Sequence, residues 1–90
     1  MIIRRYLGHA WLLCESGEIE VKAELFVQDT PLGISWHGTL RARLDWFEIS
    51  AQADEFALRT ADGKVGTLRL NQPLVFVDQA DITGIGPAPF

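Results

Sequence analysis

The stretch FALRTADGKVGTLRL, Phe56–Leu70, decides the fold, because its turn residues and its apolar alternation agree in one register only. Asp62-Gly63 is a hairpin turn signal between two alternating runs. A two-residue loop of Asp62-Gly63 would set Phe56 opposite Arg69 and Leu58 opposite Thr67, mixing apolar with polar partners. A three-residue loop, Ala61-Asp62-Gly63 with Gly63 left-handed as a bulge, sets Phe56 opposite Leu68 and Leu58 opposite Gly66. Leu70 joins that face, while Arg59, Thr67 and Arg69 turn away. Only the second register yields one clean buried face, so it is the one expected.

The same grammar recurs upstream. Over Glu18–Gln28, Ile19, Val21, Ala23, Leu25 and Val27 share one side and Glu18, Glu20, Lys22, Glu24 and Gln28 the other. That period of two marks a half-buried strand. Phe26 falls on the polar side, which points to cover from a loop or a second subunit. Ala10–Cys14 is also strand-like and joins the first strand through Glu15-Ser16-Gly17. Gln28–Gly33 carries turn formers and reads as a loop. Ile34–Leu44 then alternates, with Ile34, Trp36, Gly38, Leu40, Ala42 and Leu44 inward and Ser35, His37, Thr39, Arg41 and Arg43 outward. Gly38 in mid-strand marks a bulge or a sharp bend of the sheet.

Asp45–Ser50 fits a strand or a short helical turn, and Ala51–Glu55 is the one helical stretch expected. Asn71-Gln72-Pro73 breaks the sheet, Leu74–Val77 is a short strand, and Asp81–Ile85 is the last. The whole of 1–90 therefore reads as one all-β domain, a small antiparallel barrel or sandwich of SH3-, OB- or lipocalin-like size. Six to eight short strands are expected, with at most one short helical turn.

Ninety residues at 48% hydrophobic content, with three tryptophans, supply one modest core. A formal charge of −4 without a basic stripe argues against nucleic-acid backbone binding. The acidic residues are scattered, so an acidic nucleic-acid mimic is also poorly supported. Cys14 is the single cysteine, which rules out an intrachain disulfide and fits a reducing, cytoplasmic setting. Gly8 and His9 interrupt the apolar patch after Arg4-Arg5, and no cleavage-site pattern follows, so no secretory leader is expected. No run reaches membrane-spanning length.

Pro31–Leu40, PLGISWHGTL, resembles the Pro-x-x-Gly-x-x-Trp-x-Gly-x-Leu pattern of a small bacterial β-domain family that occurs alone or appended to flavin-dependent monooxygenases. The family closes with Thr-Gly-x-Gly-x-Pro-Pro-Phe. Here Thr83-Gly84-Ile85-Gly86-Pro87-Ala88-Pro89-Phe90 has Ala88 where the family has proline. The resemblance implies an all-β fold. It implies no activity, because the family has none assigned.

The catalytic inventory is thin. His9, Cys14 and His37 lack any metal-ligand spacing, so no metal is expected. Ser35 and His37 are two apart on one strand face, about 7 Å, too far for direct activation of a nucleophile. Ser16 and Ser50 sit in no nucleophile-elbow context. Asp78 and Asp81 fit turn aspartates better than an acid/base pair, and Gly84-x-Gly86 precedes proline rather than a helix. No cofactor and no catalytic residue are expected.

Two sets remain as candidates for a contact surface. Arg41, Arg43, Arg59 and Arg69 face outward and, converging, would bind an anion or an acidic partner. Phe26, Trp46 and Phe47, with Trp11 and the Phe90 tail, exceed what one small core hides. Since Trp46 and Phe47 are consecutive, one of them must face outward in a strand. These residues favour a non-enzymatic module for protein contact, a homodimer through edge strands or a component of a larger assembly. The second expectation is a small-molecule binding domain with a partly open interior beside Trp36.

Overall fold

The computed structural model describes residues 1–71 and 78–90. Six strands close into an antiparallel barrel in the order β1-β2-β3-β6-β5-β4. They are β1 Ile2–Cys14, β2 Gly17–Thr30, β3 Gly33–Arg41, β4 Phe56–Thr60, β5 Val65–Leu70 and β6 Gln79–Ile85. One short helix, α1 Trp46–Ser50, lies between β3 and β4. The strand expected at Leu74–Val77 lies outside the described residues.

The β4–β5 hairpin has the three-residue loop, with Phe56 opposite Leu68 and Leu58 opposite Gly66. Gly63 takes φ +90°, the left-handed conformation that a residue with a Cβ resists. In β2 the alternation is kept: Val21, Ala23, Leu25 and Val27 are buried and the even-numbered residues face out. Several boundaries differ from expectation: β3 ends at Arg41 rather than Leu44, and β6 starts at Gln79 rather than Asp81. β1 begins at Ile2 rather than Ala10, because β2 is long enough to pair with it as far as Gln28. The loop expected over Gln28–Gly33 shrinks to Pro31-Leu32, since β2 and β3 pair out to Thr30 and Gly33.

The helix is also displaced from the expected Ala51–Glu55. Asp45 caps α1 by accepting the Glu48 N–H at 3.1 Å, satisfying a donor that the first turn leaves free. Trp46 and Ile49, three apart, then face the core together. They cover the barrel end where β3 finishes and β4 starts.

The opposite end is covered by the tail after β6. Phe90 packs 5.8 Å from the Tyr6 ring and edge-on to Trp36 at 6.3 Å, and the buried Thr60 hydroxyl lies 3.2 Å from the Pro89 carbonyl. Phe90 is therefore part of the packing, not an apolar outlier. Between the two covers the interior is filled by Leu12, Leu25, Trp36, Leu40, Leu58, Leu68 and Ile82. This dense packing is usual for a barrel of so few strands.

Closing so small a barrel needs close backbone approach at two places. A Cβ on Gly38 would stand 2.0 Å from the Glu24 carbonyl oxygen and 2.9 Å from Leu25 Cα. The β2–β3 pairing is unbroken there, so Gly38 marks a bend and not a bulge. A Cβ on Gly84 would meet the Trp36 indole at 2.0 Å. Trp36 can lie flat across β6 because Gly84 has no side chain, and its Nε1–H donates to the Gly86 carbonyl at 3.1 Å. Gly38→Ala or Gly84→Ala is expected to lower unfolding free energy by about 3 kcal/mol or more through overpacking. Urea denaturation checks this, and wild-type stability in both variants would contradict the close approach.

Candidate functional site

The four arginines do not converge. Arg59 on β4 makes a two-pronged pair with Glu18, at 2.6 and 3.0 Å, and lies over the Trp11 ring at 5.5 Å. Arg69 on β5 sits 3.8 Å from Glu55. Along the register Arg69 faces Thr83, and Thr83 faces His37; Arg41 is two strands away and four residues further along β3. Arg43 is exposed in the segment between β3 and α1. An anion patch built from these four is not present.

The aromatic set divides. Trp46 is buried and donates from Nε1 to the Ala42 carbonyl at 3.2 Å. It belongs to the core and cannot serve a contact surface, because the segment is helical rather than extended. Phe47, its neighbour, is 64% exposed. Phe26 is half-buried on the outer face, between His37 at 5.7 Å and the Arg5 guanidinium at 5.4 Å. Its cover comes from adjacent strands of the same chain.

Several of the groups considered for catalysis face a local partner. His9 Nδ1 lies 2.8 Å from Glu20, Ser50 donates to the Phe47 carbonyl, and Ser16 contacts the Cys14 thiol. Asp81 lies within β6, not a turn, and accepts from Thr39 at 3.1 Å. Among the described residues no three His, Cys, Asp or Glu side chains are grouped to hold a metal ion. No described helix is long and apolar enough to cross a membrane.

What the sequence reading missed is a second apolar concentration, at the end of the barrel covered by the tail. There β1, β2 and β3 outrun the other strands as a three-stranded lip: β4 pairs with β1 only over Ala10–Leu13, and β6 with β3 only over His37–Arg41. The Asp29 N–H donates to the Met1 carbonyl, and Asp29 also faces Ile34. Met1, Ile2, Ile3, Leu32 and Ile34 are all exposed on this lip, Leu32 fully and Ile34 at 69%. Ile34 was expected inward; it lies beyond the barrel's closed part, so its inner side meets solvent. A groove of about 360 Å³ runs beside it, lined by Arg4, Trp36, Gly84 and Pro87 among others. The signal available was slight: the Met1-Ile2-Ile3 run ahead of Arg4-Arg5, and Leu32 in the turn.

No family model matches the chain, and neither the curated proteins nor the solved structures contain a significant match.

Two exposed carboxylates have lowered pKa values: Glu18, through the hydrogen bond from Arg59, and Asp62, through the hydrogen bond from Thr60. Each therefore adds stability that is complete above its ordinary value, 4.5 for Glu18 and 3.8 for Asp62, and lost as pH falls through the lower folded-state value. Both groups are exposed, so the effect is small. The urea midpoint of the wild type is expected to fall more between about pH 6 and about pH 3 than that of a Glu18→Gln, Asp62→Asn double variant. Parallel curves would contradict the assignment.

Proposed function

We propose that this chain is a non-enzymatic β module whose task is protein contact, made through the lip formed by β1, β2 and β3. The observation that carries the reading is the gathering of Met1, Ile2, Ile3, Leu32 and Ile34, all exposed, at adjoining ends of three paired strands. Single exposed apolar residues are ordinary on any surface, but five at one end of a sheet, beside unpaired strand edges, favour an interaction site. The filled interior favours this over a ligand held inside the barrel, since core side chains occupy the centre and Phe90 packs edge-on to Trp36; the groove that Trp36 helps to line lies beside Ile34 at the lip.

Leu32→Glu with Ile34→Glu places two charges on the lip without touching the core. The wild type, cross-linked in extract of its native host, is expected to be recovered joined to itself or to another protein, and the double variant to lose every product made through the Leu32–Ile34 end of the lip. Wild-type protein recovered only as free single chains would overturn the reading.

A further inference from the structure

One side of β1 has β2 along its whole length; the other side is partly open. The direction of its backbone groups follows from the hydrogen bonds. Thr60 N–H donates to the Lys64 carbonyl at 2.9 Å, toward β5, so Ala57 and Arg59 turn their backbone groups toward Leu13 and Trp11 of β1. Alternation along β1 then directs the groups of His9, Leu7 and Arg5 to the same side, away from β2. The His9 carbonyl accepts from the Tyr6 hydroxyl at 2.5 Å, and that hydroxyl accepts from the Ala61 N–H at 3.1 Å. Leu7 and Arg5 come next, and among the described residues no strand lies beside them.

We propose that this open side binds a second copy of the chain, the two β1 strands running antiparallel over Arg4–Gly8 about a two-fold axis at Tyr6. The proposal rests on the protein-contact reading and names its partner. Register selects it. With the axis at Arg5, two like charges stand opposite each other and the bulged Ile3 must enter the ladder. With the axis at Leu7, the ladder needs the His9 carbonyl that Tyr6 already holds. With the axis at Tyr6, Leu7 of each copy faces Arg5 of the other, and backbone groups of both residues gain partners.

Side-chain chemistry agrees with that register. In its own sheet Leu7 is opposite Glu24, so Arg5 of the second copy enters the Glu24–Leu7 row. The carboxylate there is held by its own Arg5 only at 4.0 Å. Arg4, which has no carboxylate within 4.0 Å among the described residues, comes opposite Gly8. The nearest atom to a Cβ built on Gly8 is 3.8 Å away, which leaves room for it. The bulge at Ile3 bends each strand out of line where Ala61 closes the edge. Leu7, 62% exposed in one chain, is covered in the pair.

Sedimentation equilibrium over a concentration series tests the pair, with two sets of variants. Arg5→Pro removes an N–H directed at the open side and leaves the β2 ladder intact; it is expected to weaken self-association by about a hundredfold. In a Cys14→Ser background, an Arg5→Cys chain mixed with a Leu7→Cys chain is expected to form a disulfide-linked pair faster than either chain with itself. Facing residues are about 5.5 Å apart, within bridging range. The cysteine chains decide the matter if Arg5→Pro does not fold. A wild type monomeric throughout, or cysteine chains that bridge equally in all mixtures, would overturn the pairing. A monomer that still cross-links to another host protein through Leu32 and Ile34 sinks self-pairing alone; the loss of both sinks the contact reading with it.

Discussion

The barrel depends on how closely its strands can approach around Trp36. Gly38 lets β3 fold onto the backbone of β2, and Gly84 lets the indole lie flat on β6. Without these approaches the sheet would be too flat to bring β1 to β4, and both would be left as bare edges. The core follows from closure: once β4 meets β1, the inward residues of six strands reach a common centre and exclude water. Hydrophobic burial supplies the driving force, but it is available only because two glycines permit the geometry.

The ends of the barrel are closed by different means. At one end a capped turn of helix lowers Trp46 and Ile49 onto the core. At the other, Pro89 lies in the space left by Gly66, and Phe90 rests between Tyr6 and Trp36. The second cover joins to the β4–β5 hairpin through Thr60, whose buried hydroxyl reaches the Pro89 carbonyl and also Asp62 of the turn. The Thr83–Phe90 tail thus has a physical role: Gly84 leaves room for the Trp36 indole, and Pro89 and Phe90 fill the end of the interior.

Much of this was legible in the sequence because β-strands advertise themselves by period two. The register of Phe56–Leu70 and the inward set of β2 could be derived from apolar matching alone. Other features depended on distances along the chain that no local pattern reports. Alternation places Ile34 inward, yet the strand outruns its neighbour β6 and leaves that residue in water. Trp46 and Phe47 look equivalent in a list of aromatics; the Asp45 cap makes the segment helical and so separates a core residue from an exposed one. The four arginines share an outer face in sequence, but strand order distributes them around the barrel. The lip was missed because unequal strand lengths, not residue types, create it.

The contact proposal follows from the same inequality. A closed barrel has no edges, and this one is closed only over Ala10–Leu13 of β1, so unpaired backbone is confined to the part that projects. Residue-resolved amide hydrogen exchange measures that closure directly. The amides of Ala10–Leu13 and Ala57–Thr60 are expected to exchange only with global unfolding, as for strands paired on both sides. Rapid exchange at alternate residues of both segments would reveal two free edges and contradict the closed barrel.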